Sequence, residues 1–203
     1  MKKLIVIATI CAMSAVWADD DKAKPAGKKK PANPNAMQMP KPGPEAKELL
    51  ALVGTWKSND SMEKVESMMM PGGEGTSTET YTRGPGGFSV VLHVTGVTGP
   101  MAGFHGLGVL SYSPEEQVYK MAWTDSMGPG LILETGHKEG NDIVLTGEMS
   151  MGGKKYKTKD VMSDRTPTSF TLTSYSDDGT GEKKMMTLKL TKEEAKPKTE
   201  APK

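Results

Sequence analysis

The feature that most constrains this chain is a two-residue alternation of apolar and polar side chains that recurs between Gly54 and Thr191. In one run, Val90, Leu92 and Val94 stand at every second position. Alternation of this kind is typical of antiparallel strands that bury one face. Because clusters of Gly, Pro, Asn and Asp separate the runs, the pattern predicts short strands joined by tight turns.

Ten strands are predicted from these runs, at residues 55–66, 75–83, 87–96, 103–112, 117–125, 130–138, 142–150, 154–163, 168–176 and 183–191. Short strands at such even spacing are typical of a sandwich or of an up-and-down barrel. A barrel is favoured because closure removes both exposed sheet edges. The predicted fold class is therefore all-β, an antiparallel up-and-down β-barrel of about ten strands.

One short helix is predicted at 45–53, immediately before the first strand. Ala46, Leu49 and Val53 fall on one face of such a helix, and Gly54 suits the position just past its end. The barrel domain is accordingly predicted to run from residue 44 to 192.

The first 18 residues have the pattern of a secretory signal peptide. Lys2 and Lys3 precede an apolar run at 4–16, small residues lead up to Ala18, and three aspartates follow. The apolar run is shorter than the roughly 20 residues that a bilayer span needs. We therefore expect cleavage after Ala18, a periplasmic or secreted protein, and no stable membrane insertion after cleavage.

Two segments flank the predicted domain, at 19–43 and 193–203, and both are rich in Lys, Pro and Ala. Such segments have too little apolar surface to offset the entropy cost of ordering. We predict a disordered linker before the barrel and a disordered tail after it.

Cysteine content and charge exclude several classes of function. The only cysteine, Cys11, lies in the leader, so the processed chain would have neither disulfides nor thiolate chemistry. The net charge is +1, and two of the positive charges belong to the leader. A nucleic-acid-binding protein would need a strongly basic face, so no nucleic-acid partner is predicted. The sequence leaves the oligomeric state open.

Four short stretches carry a family resemblance: residues 52–56, 104–112, 119–126 and 145–148. The first contains Gly54 and Trp56, as in the Gly-x-Trp motif that opens lipocalin and calycin barrels. Together the four resemble a bacterial lipocalin-like (calycin-type) domain of unknown function, family 1579, over about 45–191. The resemblance implies a barrel whose interior holds a small hydrophobic molecule, and it implies no reaction.

The residues expected to line such an interior come from the predicted third to sixth strands. Tyr119, Met121 and Trp123 share one strand face, with Asp125 at its end. The same side chains could instead be ordinary core, because aromatic residues dominate core burial. The full set of candidate ligand-binding residues is Phe88, Phe104, His105, Tyr119, Met121, Trp123, Asp125 and Leu133, while Gly54 and Trp56 are assigned a structural role beneath the helix.

Methionine suggests a second hypothesis, because the chain has 16 methionines and only three phenylalanines. Clusters occur at 37–39, 68–70 and 149–151. Thioethers are soft ligands that favour Cu(I), whereas methionine also fills irregular apolar space. Binding of Cu(I) through these clusters is one alternative function.

An enzyme built around His105 and Asp125 is the other alternative. His93, His105 and His137 have none of the short spacings of zinc motifs, and no nucleophile elbow or phosphate-binding loop occurs. The sequence therefore predicts no metal site from these histidines, no cofactor and no catalytic residues.

Overall fold

The computed structural model describes Met37, residues 39–68 and residues 70–194. The predicted signal peptide at 1–18 lies outside these residues, as do most of the linker predicted at 19–43 and most of the tail predicted at 193–203. None of the helices in the described part of the chain is long and apolar enough to cross a membrane.

The described residues form one α-helix and ten strands. They are α1 (Pro44–Leu50), β1 (Gly54–Val65), β2 (Met70–Arg83), β3 (Ser89–Thr95), β4 (Gly106–Ser113), β5 (Val118–Asp125), β6 (Gly128–Glu139), β7 (Asp142–Met151), β8 (Lys154–Ser163), β9 (Ser169–Asp177) and β10 (Glu182–Lys192). Single 3₁₀ turns precede β2, β3 and β4.

Every strand pairs antiparallel with its sequence neighbours, and β1 also pairs with β10, so the sheet closes into a barrel. The closing seam runs from Trp56 opposite Lys192 to Met62 opposite Met186. The predicted all-β, antiparallel ten-strand barrel with one preceding helix is thus confirmed. The fourth strand begins at Gly106 and not at residue 103, because Gly103 adopts a φ of +88° that interrupts extended backbone.

The helix α1 covers one end of the barrel, which we call the helix end. Its Leu49 belongs to the main core, and the indole of Trp56 donates a 2.7 Å hydrogen bond to the carbonyl of Leu52 just after the helix. Trp56 is fully buried and packs edge-on against Phe170, with ring centroids 4.9 Å apart. Gly54, at φ +138°, leaves room for Lys192, which a Cβ there would meet at 2.7 Å.

A charged cluster also ties α1 to the barrel. Glu48 accepts hydrogen bonds from Arg165, which lies between β8 and β9, and from Lys138 on β6 at 3.0 Å. Burial acts to raise the pKa of Glu48, but the hydrogen bonds from Arg165 and Lys138 outweigh it, and the pKa is lowered. The interactions of Glu48 with Arg165 and Lys138 therefore favour the docked helix at neutral pH.

The interior changes character along the barrel axis. On β1 the inward side chains run from Trp56 through Ser58 and Asp60 to Met62. Other strands follow the same order, since β8 has Met162 towards the helix end and Asp160 and Thr158 beyond it. An apolar zone thus lies under the helix, a polar and acidic zone lies in the middle, and methionines concentrate at the opposite end, which we call the far end.

Candidate functional site

A cavity of about 240 Å³ occupies the interior between the acidic zone and the far end. Among the residues that the structure describes, ten methionines contribute to its wall, together with Leu, Val, Ile and aromatic side chains. Pockets for drug-sized ligands usually measure roughly 300–1,000 Å³. The cavity is therefore mostly apolar and suits a smaller molecule.

Phe104, Met121, Trp123 and Asp125 form one side of this cavity. The indole of Trp123 donates a 2.8 Å hydrogen bond to Oδ2 of Asp125, and the backbone N–H of Met127 donates to Oδ1 at 2.8 Å. Phe104 stacks beside Trp123 with centroids 6.4 Å apart. Asp125 consequently fixes the orientation of the indole, with both of its oxygens engaged.

Two glycines on the inner face of β4 make room for this indole. A Cβ on Gly106 would lie 2.3 Å from the Trp123 ring, and one on Gly108 would lie 3.0 Å from the ring and 3.2 Å from Sδ of Met121. Both glycines are buried. The ring therefore lies across β4, and the sequence position of these glycines is explained by close side-chain approach.

Five carboxyl groups line the cavity, and no Lys, Arg or His side chain does so among the residues that the structure describes. Glu79 accepts a 2.7 Å hydrogen bond from Tyr81, and Glu134 accepts one of 2.5 Å from Thr158. Glu79 is 1% exposed and Glu134 is 5% exposed. The five carboxyls are Asp60, Glu79, Asp125, Glu134 and Asp160.

The buried carboxyls have raised pKa values. Burial raises the pKa of Glu79 to about 7, a hydrogen bond from Tyr81 partly opposes this, and the nearby charges of Asp60 and Asp160 add to it. Burial and the charge of Asp160 likewise raise the pKa of Glu134. These shifts are what carboxyl groups show when they are removed from water beside like charges without a cation.

The far end is closed by a separate apolar cluster, which we call the methionine cluster. It contains Val65, Tyr156 and five methionines contributed by the β1–β2, β7–β8 and β9–β10 hairpins. The five are Met68, Met70, Met149, Met151 and Met185. All five also line the cavity, so the cluster forms its outer wall.

Four of the eight candidate ligand-binding residues do not line this cavity. Tyr119 is buried in the core near the helix end, and the Phe88 ring lies against Gly86 in the turn before β3. Leu133 is 64% exposed because β6 turns its alternate residues, Ile132 and Glu134, inward.

The fourth, His105, is exposed and stands in the loop before β4. The enzyme hypothesis paired it with Asp125, whose oxygens are both committed to Trp123 and Met127. His93 and His137 are exposed as well. Within the described part of the chain, no group of three or more His, Cys, Asp or Glu side chains is placed to hold a metal ion.

A closed antiparallel barrel with a preceding helix, a Gly-x-Trp opening and an interior cavity defines a lipocalin-like domain. Residues 41–192 match the family model described as "Protein of unknown function (DUF1579)", so the chain belongs to that family. Among curated proteins, none matches the sequence.

Proposed function

We propose that this protein binds a small amphipathic molecule, with an apolar body and a positively charged group, in the cavity of its barrel. One observation carries the proposal: five carboxyl side chains share the cavity wall with methionines and aromatic rings, and no basic side chain from the described part of the chain faces them. The barrel fold and the family resemblance support ligand binding, and the carboxyl groups support the ligand's charge.

The apolar part of the ligand follows from the wall at the far end. Met121 and Trp123 on one side and the methionine cluster on the other offer flexible, polarizable contact surface. Methionine adapts its shape to different apolar groups, so the cavity tolerates some variation in chain branching. Removing such a ligand from water would supply most of the binding free energy.

The charged part follows from the acidic zone. A carboxylate that is buried without a cation is costly, and a ligand carrying a carboxylate would add a further negative charge beside Glu79 and Glu134. An ammonium group placed there would offset the repulsion and donate hydrogen bonds to the carboxylate oxygens. The cavity therefore discriminates against fatty acids and favours amines.

Three eight-carbon probes that differ only in their head group test this: octylamine, octanol and octanoate. Isothermal titration calorimetry of the full chain at pH 8 should show affinity falling in the order octylamine, octanol, octanoate. The affinity for octylamine should be at least tenfold higher than that for octanoate. Equal affinities for all three would overturn the charge assignment. Failure of all three to bind, at concentrations below their own aggregation limit, would overturn the proposed function.

A matched pair of substitutions locates the site. Glu134→Gln keeps the side-chain size and removes a cavity carboxyl. It should therefore lower the affinity for octylamine at least fivefold and leave the affinity for octanol unchanged. Glu74→Gln, at an exposed position on β2, should alter neither affinity. An equal loss in both variants would contradict binding inside the barrel.

The leader sequence supports the further proposal that the protein acts outside the cytoplasm. Cleavage after Ala18 would give a processed chain that begins at Asp19. Expression in a Gram-negative host, osmotic-shock fractionation and N-terminal sequencing test this directly. A chain that keeps Met1 and stays with the cytoplasmic fraction would overturn it.

A further inference from the structure

The methionine cluster brings two thioether sulfurs to one point. The hydroxyl of Ser176 on β9 lies 3.2 Å from Sδ of Met68 and 3.1 Å from Sδ of Met185. A serine hydroxyl has a single proton, so it donates to only one of the two sulfurs at a time. All three side chains are buried, which leaves the two sulfurs facing a common polar point in an apolar setting.

The composition of the cluster differs from that of the main core. The 14 buried residues of the main core include one methionine, Met162, and are otherwise aliphatic or aromatic. In the methionine cluster, two of the four buried residues and all three of the partly buried ones are methionines. Packing needs alone do not separate methionine from leucine so sharply along one barrel, since the two side chains are close in volume.

Soft thioether ligands select Cu(I) over the harder cations that prefer oxygen. We infer that the methionine cluster is a Cu(I) site in which Met68 and Met185 are the primary ligands and Met70, Met149 and Met151 supply further thioethers. The three latter side chains are partly exposed, so the ion has a route from solvent to the buried pair. The carboxyl-lined cavity beneath the cluster adds a negative field that favours a cation.

The inference does not depend on the proposed small-molecule function. An organic amine is bound by the apolar wall and the carboxyl groups, whereas a soft metal ion needs the sulfur atoms themselves. Leucine at positions 68 and 185 keeps an apolar wall and removes both sulfurs, so the two functions respond differently to the same substitution.

The first experiment uses Ag(I) as a redox-stable substitute for Cu(I). The full chain carries Cys11→Ser, because a leader thiolate would bind the ion by itself. With ¹³C-labelled methionine methyl groups, one equivalent of Ag(I) should shift the Met68 and Met185 signals most and leave Met162 unchanged. Uniform changes at all methionines, or no change at Met68 and Met185, would overturn the inference.

The second experiment measures Cu(I) affinity by competition with bicinchoninate under reducing conditions, in the same Cys11→Ser background. The double variant Met68→Leu with Met185→Leu should bind at least tenfold more weakly, while Met162→Leu in the main core should match the starting protein. Unchanged affinity in the double variant would overturn the inference. Should the double variant fail to fold, the labelled-methyl experiment on the unsubstituted cluster still decides the matter.

Discussion

The hydroxyl of Tyr81 donates a 2.7 Å hydrogen bond to Oε2 of Glu79, and both side chains are buried inside the barrel. A neutral phenol compensates only part of the cost of burying a carboxylate. The pKa of Glu79 therefore rises to about 7, and burial together with the Glu79 charge raises the pKa of Tyr81 well above its ordinary value.

This raised pKa predicts the pH dependence of stability. The folded protein binds a proton at Glu79 between pH 4.5 and about 7 that the unfolded chain has released. The free energy of unfolding should thus be highest near pH 4.5 and fall on the order of 3 kcal/mol by pH 8 through this group alone. Urea unfolding at pH 5, 6, 7 and 8 measures the slope.

Glu79→Gln isolates this contribution. In the variant, the fall in the free energy of unfolding with pH should be smaller by the contribution of about one bound proton. The variant should also be more stable than the starting protein at pH 8. The matched substitution Glu74→Gln on the same strand is exposed and should keep the original slope. Identical slopes in all three proteins would contradict a buried, proton-binding Glu79.

The raised pKa values of the cavity glutamates also predict how ligand affinity depends on pH. Glu79 and Glu134 are largely neutral at pH 5.5, because burial and nearby carboxyl charges raise the pKa of each to about 7, and they ionise above that pH. Octylamine binding should therefore tighten at least tenfold from pH 5.5 to pH 8, whereas octanol binding should stay constant. Titration at both pH values checks this, and a parallel change for the two probes would contradict the role of the carboxyls.

Gly106 offers a test of the aromatic side of the cavity. A methyl group there would lie 2.3 Å from the Trp123 ring, so Gly106→Ala should lower the free energy of unfolding by about 1–3 kcal/mol through overpacking. Gly128→Ala on β6 is the control, since a Cβ at that position meets nothing within 4 Å. Denaturant unfolding followed by tryptophan fluorescence compares them, and equal stability of the two variants would refute the close approach.

Glu48 predicts the opposite pH behaviour to Glu79. Its pKa is lowered, so its interaction with Arg165 and Lys138 stabilises the fold above pH 4.5, and the stabilisation is lost as the pH falls below that value. Glu48→Gln should cost about 1 kcal/mol at pH 7, given that the group is partly exposed, and little at pH 3. Glu45→Gln, one turn earlier on α1, serves as the control in urea unfolding at both pH values.

The two-residue alternation was enough to predict the barrel, because one inward face per strand is a strong local signal. The eighth strand was predicted at 154–163 and observed at the same residues. The signal is ambiguous where apolar residues are consecutive. In the apolar run 131–133, Leu133 was predicted to face the interior, and the structure turns Ile132 and Glu134 inward instead.

The acidic zone was missed for a related reason. Period-two reasoning assigns a charged residue to the solvent face, so it gives no reason to expect Glu79 or Glu134 inside the barrel. A usable signal was present on β2, where Glu79 shares a face with Tyr81. Convergence of acids from five strands is a property of the closed barrel, and sequence spacing does not contain it. The meeting of Met68 and Met70 with Met149 and Met151, from two of the three methionine motifs, is likewise set by closure.

The seam between β1 and β10 also orders events during synthesis. All other strand pairs are hairpins that can form as soon as both arms leave the ribosome, whereas Asn59 finds its partner Lys189 only when the last strand has emerged. Until then β1 presents a free edge, which is a template for pairing with other chains. The barrel of the nascent domain therefore closes only when the final strand has been synthesised. Premature termination before that strand would yield an aggregation-prone open sheet.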